Sequence, residues 1–280
     1  MIIDAHQHYW KLERGDYDWL TSDLANLYRD FMPDDLRPLL TANGVVGTIA
    51  VQAAATEAET LFLLELAKAN PTILGVVGWV DMDAPDAIAR IDHLLDIGGG
   101  LLKGFRPMIQ DIEDIDWILK PSLDPIFKAL EERDLVFDAL VLPKHLRNLE
   151  ARLIKHPNLK VVIDHAGKPP IAQRSRSGWI AAMKRLAQLP NVYCKLSGLV
   201  TEADNGWREA DIQPYINDIF KLFSPQRVIW GSDWPVLNIA SNYDVWFDLA
   251  RRNCESFDAA ARDGVFGKTA VECYQVKMPC

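Results

Sequence analysis

Eight short runs of apolar and β-branched residues recur along this chain of 280 residues, and an amphipathic stretch follows each of them. The runs are apolar almost throughout rather than alternating with polar residues, which is typical of parallel strands covered on both faces. We therefore expect eight parallel strands, at residues 2–5, 45–52, 73–80, 101–106, 135–140, 160–165, 192–197 and 227–232.

Helix signals occupy the stretches between these runs. Thr56 and Glu59 have the spacing of a capping box ahead of a leucine stripe, and Pro143 precedes a second apolar stripe. Pro85 opens a third stretch, which glycines 98–100 close. Eight strand–helix units in about 270 residues match a (β/α)8 TIM barrel, and we expect residues 1–280 to form one such domain. A doubly wound sheet is the rival, but it rarely runs to eight units without a second domain or a glycine fingerprint, and no GxGxxG or GxxxxGK[ST] motif follows any run.

Composition narrows the class of partner and the compartment. The chain has 30 basic and 39 acidic residues and a net charge of −9, which disfavours nucleic acid and anionic membranes as partners. No apolar run reaches the roughly 20 residues of a membrane span, and the first ten residues lack a signal-peptide pattern. The cysteines form no CxxC pair, so we expect a reduced, cytoplasmic protein; they are Cys194, Cys254, Cys273 and Cys280.

The first run ends in a His-x-His motif. Because strand side chains alternate, His6 and His8 are predicted to point to the same side at the exit of strand one. Two imidazoles placed in this way are a natural pair of metal ligands. Taken alone the motif is weak, since two polar residues in a loop give the same pattern.

Two further exits carry polar residues that can join this pair. His165 ends the sixth run, before a Gly–Lys–Pro loop, and Asp233 follows the eighth run, which lies next to the first in a closed barrel. Taken separately, His165 can be a core histidine bonded to the backbone, and Asp233 can be a helix N-cap. Their joint occurrence at strand exits favours one shared site.

This constellation resembles the amidohydrolase superfamily, in the family known as amidohydrolase family 2. The segments DAHQHYW, VIDHAGKP, KLSGL and WGSDWPV are similar to the branch of sugar-lactone lactonases, which includes L-fuconolactonase-like and L-rhamnonolactonase-like enzymes. The resemblance spans residues 2–274. It implies that His6, His8, His165 and Asp233 form a metal site, and that Asp233 takes the proton from water.

The chain departs from the two-metal pattern of the superfamily. The fifth run offers no histidine, and Lys103 on the fourth run cannot be established as a bridging lysine. At most one divalent ion is therefore expected, with Zn²⁺ the best match to three imidazoles and a carboxylate, and a site without metal is the alternative.

Other strand exits offer substrate contacts. Arg106 can bind a lactone carbonyl or a carboxylate in a bidentate manner, and Lys195, within an apolar strand, needs an anionic partner or an aqueous cavity. A surface salt bridge is an equally good reading of Arg106. Further candidates at or near exits are Tyr9, Trp10, Gln52 and Trp234. His145, beyond strand five, is a weaker pocket candidate.

The sequence thus predicts a hydrolase that opens a sugar lactone to its aldonic acid, with His165 and Arg106 assisting Asp233. Two rivals are enzymes: a metal-dependent decarboxylase of the same superfamily, and a lactonase acting on pyrone- or muconolactone-type dicarboxylates. A third is a catalytically inactive barrel that binds a sugar acid or a protein. Neither a GxSxG elbow nor a convincing second carboxylate of glycosidase type is present.

Overall fold

A computed structural model describes residues 1–278 and contains eight parallel strands paired in chain order. The strands alternate with helices and form a nearly closed barrel, which confirms the predicted (β/α)8 architecture. Each strand falls within or beside a predicted run. They are β1 (Ile2–Gln7), β2 (Val45–Val51), β3 (Ile73–Gly78), β4 (Leu102–Phe105), β5 (Val136–Ala139), β6 (Val161–Ile163), β7 (Val192–Leu196) and β8 (Val228–Trp230).

The helices pack around the strands. The described helices are α1 (Pro33–Ala42), α2 (Glu57–Ala69), α3 (Ala87–Gly98), α4 (Asp124–Glu132), α5 (Leu146–Lys155), α6 (Ser177–Leu186), α7 (Glu209–Phe223), α8 (Tyr243–Asn253), α9 (Ala259–Asp263) and α10 (Thr269–Tyr274). Short 3₁₀ turns connect several of them. None of these helices is both long and apolar enough to cross a membrane.

The predicted capping box of α2 forms only in part. The Thr56 side chain accepts the backbone N–H of Glu59 at 3.1 Å, as expected of an N-cap. The Glu59 carboxylate turns into the protein instead of returning to the cap, and it accepts the Tyr17 hydroxyl at 2.7 Å and the Ala53 N–H at 3.1 Å. Burial, which outweighs these hydrogen bonds, raises the pKa of Glu59 to about 7.

The barrel closes between its first and last strands through a small seam. The buried Asp4 carboxylate accepts the Ser232 N–H at 2.8 Å and the Tyr243 hydroxyl at 3.0 Å. The Asp233 N–H donates to the His6 carbonyl at 2.8 Å, and the His8 N–H donates to the Trp234 carbonyl at 2.7 Å. The bonds that close the barrel therefore also fix the backbone of four predicted site residues, namely His6, His8, Asp233 and Trp234.

Apolar side chains form much of the barrel interior, and the C-terminal segment covers one end of it. Ile49, Val162 and Ile229 belong to the interior cluster, together with Tyr274 of α10. Lys103 donates to the Gln275 carbonyl at 3.0 Å, which places its side chain at this covered end. Buried free cysteines lie at Cys194, Cys254 and Cys273, and Cys280 is outside the described residues.

Candidate active site

Four residues predicted from the sequence meet at the end of the barrel where the strands finish. His6 lies in β1 and His8 directly follows it, and their Nε2 atoms are 3.2 Å apart. The ring centroids of His6 and His165 are 4.6 Å apart. Asp233 Oδ1 lies 3.3 Å from His8 Nε2, 3.6 Å from His6 Nε2 and 3.9 Å from His165 Nε2. One carboxylate oxygen therefore faces three imidazoles.

Left-handed backbone places two of these side chains. β6 ends at Ile163, two residues before His165, so His165 does not end the strand as the sequence suggested. His165, Ala166 and Lys168 all have φ near +50°, and Asp233 has a φ of +62°. Such conformations cost about 1–3 kcal/mol each outside glycine and cluster at functional sites. The turn after β6 thus holds His165 over the barrel mouth.

Hydrogen bonds orient two imidazole rings. His8 Nδ1 lies 2.7 Å from the Val51 carbonyl oxygen, which can only accept, so Nδ1 carries the proton. In a neutral His8 ring the lone pair then sits on Nε2, the atom that faces Asp233. His165 Nδ1 lies 2.8 Å from the Ser197 hydroxyl, which leaves its Nε2 towards Asp233 as well.

Two glycines make room for the histidines. A Cβ atom on Gly198 would lie 2.4 Å from His165 Nδ1, and a Cβ on Gly231 would lie 2.6 Å from the His6 Cβ. Real Cβ atoms do not approach other heavy atoms so closely. The backbone that follows β8 and the backbone of the loop after β7 therefore pack directly against these two histidines.

Arg106 enters the site from the end of β4. Its Nη1 atom lies 3.4 Å from His6 Nε2 and 3.4 Å from Asp164 Oδ2, and its Nη2 donates to the Gln52 carbonyl. The Gln52 side chain in turn donates to the Arg106 carbonyl at 2.6 Å. Arg106 Nε has no partner among residues 1–278 although it is buried. The surface salt bridge considered from the sequence is thus replaced by a buried guanidinium within the site.

A buried ionic network supports His6 from inside the barrel. Lys195 Nζ lies 2.6 Å from Asp138 Oδ2 and 2.9 Å from Asp164 Oδ1, and Asp164 lies 3.4 Å from His6 Nδ1. The Tyr274 hydroxyl donates to Asp138 at 2.8 Å. The partner that a lysine in an apolar strand requires is therefore this pair of carboxylates, and Lys195 is fully buried.

Burial and neighbouring groups shift the pKa values of Asp233, His165 and His6. Burial alone would raise the pKa of Asp233, but in acid the protonated His165 and the hydrogen bond with His8 outweigh burial, so the pKa of Asp233 is lowered. Burial lowers the pKa of His165 to about 4 and that of His6 well below its ordinary value. The site at neutral pH thus holds an ionised Asp233, with His6 and His165 neutral.

A cavity of about 220 Å³ lies over these groups, and we refer to it as the reaction cavity. His8, Arg106, His165 and Asp233 line it together with loop residues that sequence reasoning did not single out, namely Trp19, Met108, Gln110, Asp111, Lys168 and Thr201, among others. Trp19 belongs to the connection over residues 8–32, which is far longer than the roughly 2–6 residues usual for such loops. That length was the available signal for a substrate-binding segment.

Other predicted substrate contacts lie behind the cavity wall. Tyr9, Trp10 and Trp234 are buried in the apolar core, and Gln52 and Lys195 are fully buried and occupied with Arg106 and with two carboxylates. His145 is also buried and its Nδ1 accepts the Leu142 N–H. Of the residues proposed from the sequence to bind substrate, only Arg106 lines the reaction cavity among the described residues.

The donor set fits a single divalent cation. Ligand atoms of His6, His165 and Asp233 all lie within 4.8 Å of one another. The His8 Nε2 lone pair faces a carboxylate oxygen at 3.3 Å, an unfavourable contact unless a proton or a cation lies between the two atoms. Imidazole nitrogens with one carboxylate oxygen are the ligands that Zn²⁺ prefers.

Comparisons with known proteins agree with this architecture. The family model described as amidohydrolase matches residues 3–276. An L-fucono-1,5-lactonase of Burkholderia ambifaria is 44% identical over 99% of this chain and 96% of its own, and one of Burkholderia multivorans is 40% identical over 99% and 97%. A crystal structure of a B. multivorans amidohydrolase with bound zinc superposes with a TM-score of 0.93, at 40% identity over 99% of this chain and 100% of that one.

Proposed function

The chain belongs to the amidohydrolase family, and from that premise we propose that it hydrolyses a sugar lactone of the L-fucono-1,5-lactone kind to the aldonic acid. Relatives that share 40% or more of its sequence over nearly the whole chain carry this activity in their names. The observation that carries the proposal is a single ionised carboxylate, Asp233, held against three imidazoles beneath a cavity of about 220 Å³.

Asp233 acts as the general base. Its lowered pKa keeps it ionised at neutral pH, so it can take a proton from a water molecule placed between it and the lactone carbonyl. The water oxygen bonds to the carbonyl carbon, and the carbonyl oxygen becomes an oxyanion. When the acyl C–O bond breaks, protonated Asp233 returns its proton to the departing ring oxygen, which becomes a hydroxyl group.

Arg106 stabilises the charge that develops on the carbonyl oxygen. Its guanidinium is fixed by the Gln52 carbonyl and by Asp164, and it lines the reaction cavity beside His6. A donor held in place before reaction stabilises an oxyanion without reorganising solvent, and removal of one such donor typically costs 10²–10³-fold in kcat. The same guanidinium can bind the carboxylate of the product.

His6, His8, His165 and Asp233 would hold one divalent ion, for which we propose Zn²⁺. When bound, such an ion polarises the carbonyl and lowers the pKa of water to about 7. A carboxylate of low pKa is then a sufficient base. Val51 and Ser197 fix the rings of His8 and His165, so the ligand nitrogens keep their positions.

A panel of aldono-1,5-lactones with a pH indicator tests the proposal. Lactone hydrolysis releases one proton per turnover, and L-fucono-1,5-lactone is expected among the best substrates. Release of CO₂ from aromatic acids without acid release from lactones would identify a decarboxylase, and the absence of either reaction would leave a binding protein. Both outcomes contradict the proposal.

Chelation tests the ion separately. Metal content, thermal unfolding and activity are measured on the same preparation before and after chelation and after adding Zn²⁺. We expect about one ion per chain, and its loss to lower both the unfolding temperature and the activity, since the ion binds only the folded site. Full activity in metal-free protein would contradict the proposed ion and leave stabilisation of the oxyanion to Arg106 and the histidines alone.

A further inference from the structure

A second cavity, of about 460 Å³, adjoins the reaction cavity. The two share Trp19, Ala53, Met108 and Asp111 in their walls. The reaction cavity alone is smaller than the roughly 300–1,000 Å³ usual for ligand pockets, and the second cavity brings the combined space into that range. A substrate that begins at Asp233 can therefore extend past Trp19.

Three tryptophans line this second cavity, and contacts within the protein fix their places. Trp19 donates its indole N–H to the Ala53 carbonyl at 2.7 Å, and Trp117 donates to Asp83 at 2.6 Å. Trp79 is held by its backbone, which exchanges two hydrogen bonds with the Thr60 hydroxyl at 2.7 and 2.8 Å. The Trp79 indole N–H has no acceptor among residues 1–278. Indole faces pack well on the C–H surface of a sugar ring, and the Trp79 N–H is available to a hydroxyl group.

The charged side chains that line the second cavity favour neutral ligands over anionic ones. Five carboxylates line the second cavity, and none of its described lining residues is a lysine, arginine or histidine. Carboxylates accept hydrogen bonds from hydroxyl groups and repel anions. The carboxylates belong to Asp16, Asp18, Asp81, Asp83 and Asp111. Asp16 is paired with Arg14 at 2.6 Å and Asp83 with Lys120 at 3.0 Å. The negative charge that faces a ligand therefore comes from the other three, which have no cationic partner among residues 1–278.

We propose that the second cavity binds a neutral glycosyl group carried by the lactone, so that glycosyl-substituted aldonolactones are better substrates than simple ones. This inference rests on the proposed function. Water still adds to the lactone carbonyl and the acyl C–O bond still breaks, while the glycosidic bond stays intact. The tryptophans and carboxylates bind the added ring. Arg106 still stabilises the oxyanion of the lactone, and Asp233 still acts as the general base.

The probes are L-fucono-1,5-lactone and its three derivatives that carry one glucosyl group at O2, O3 or O4. We expect at least one derivative to exceed the unsubstituted lactone about tenfold in kcat/KM, because a stacked ring contributes roughly one order of magnitude. If the unsubstituted lactone is hydrolysed and no derivative is hydrolysed faster, the second cavity is not a glycosyl site. If no lactone is hydrolysed, the proposed function itself fails.

Two variants locate the effect. Ala55 is exposed and lines only the second cavity, so Ala55→Arg would fill that space, where the carboxylates of Asp18 and Asp81 hold the new side chain. Trp79→Leu removes the ring and leaves the backbone bonds to Thr60. We expect each variant to lose about tenfold in kcat/KM on the preferred derivative and to stay within twofold on the unsubstituted lactone.

The matched control is Ala181→Arg, at an exposed position of α6 away from both cavities. It is expected to leave kcat/KM unchanged on both the derivative and the unsubstituted lactone. Equal losses on both substrates in the Ala55 and Trp79 variants, or no loss on the derivative, would overturn the inference. Circular dichroism confirms that each variant is folded before it is assayed.

Discussion

Replacement of Asp233 by asparagine isolates its role as a base. Asparagine keeps the size and one acceptor oxygen of the side chain but cannot take a proton at neutral pH. The backbone at this position has a φ of +62°, a left-handed conformation that asparagine adopts as readily as aspartate. The seam bond from the residue 233 N–H to the His6 carbonyl does not involve the side chain. The variant is therefore expected to fold.

The expected loss of kcat follows from the groups that the Asp233 carboxylate contacts. Its Oδ1 atom faces three imidazoles at 3.3–3.9 Å. In the 3₁₀ turn that follows, Val236–Ile239, the backbone N–H of Leu237 donates to the Asp233 carbonyl at 2.9 Å, and the turn has no side-chain cap. A helix-capping role would be kept by asparagine, whereas general-base catalysis is worth roughly 10²–10⁴-fold. We expect kcat on L-fucono-1,5-lactone to fall by about that factor, with a smaller change in KM because the ground-state lactone is uncharged.

The assay follows acid release by wild type, Asp233→Asn and Asp248→Asn under saturating lactone. Asp248 lies on the exposed face of α8, so its variant carries the same change of charge away from the site. Metal content is measured on each preparation, because Asp233 is also a proposed ligand. A folded, metal-replete Asp233→Asn enzyme within about twofold of the wild-type kcat would refute the assignment, since the loss of a base must cost more.

Two further predictions concern buried charge. Lys195→Met leaves Asp138 and Asp164 without their shared cation, so we expect a loss of about 3–5 kcal/mol in unfolding free energy and roughly 10 °C in Tm; a raised KM with an unchanged Tm would instead show that Lys195 binds substrate directly. The pKa of Glu59 is raised from 4.5 to about 7 on folding, so the unfolded chain releases this proton first and wild-type stability falls as pH rises through that window. Between pH 4.5 and 7, Glu59→Gln is expected to remove up to about 3 kcal/mol of the fall in unfolding free energy, as measured by denaturant titration. If the unfolding free energies of variant and wild type change with pH in parallel, the reasoning is contradicted.

The strands and the four central residues could be predicted because their signals are local. Near-continuous apolar runs identify buried parallel strands, and polar residues at their ends must meet at one mouth if the barrel closes. His6 and His8 share a side because strand side chains alternate. The position of His165 was harder to predict, since it depends on consecutive left-handed residues that a sequence pattern does not reveal.

The substrate contacts could not be predicted in the same way. Tyr9 and Trp10 follow strand one in the sequence, yet both turn into the apolar core, while Trp19 further along the same loop lines both cavities. Loop direction depends on tertiary packing, such as the perpendicular contact of Trp10 and Trp19 at 5.4 Å between ring centroids. For Lys195, the need for a partner was evident from the sequence, but its partners, Asp138 in β5 and Asp164 directly after β6, could be identified only from the fold.

The seam between β1 and β8 has a consequence for the order in which this protein becomes active. Asp4 and Ser232, which it joins, are 228 positions apart in the chain. Contacts of such long range form late in folding, because the entropy of closing the intervening loop must first be offset. While the chain is being synthesised and β8 is still missing, the histidines lie on an open sheet. Both edges of that sheet are unpaired and prone to pair with other chains. Hydrolytic competence therefore arises only when the last strand meets the first, and the step that completes the active site is the step that removes the exposed edges.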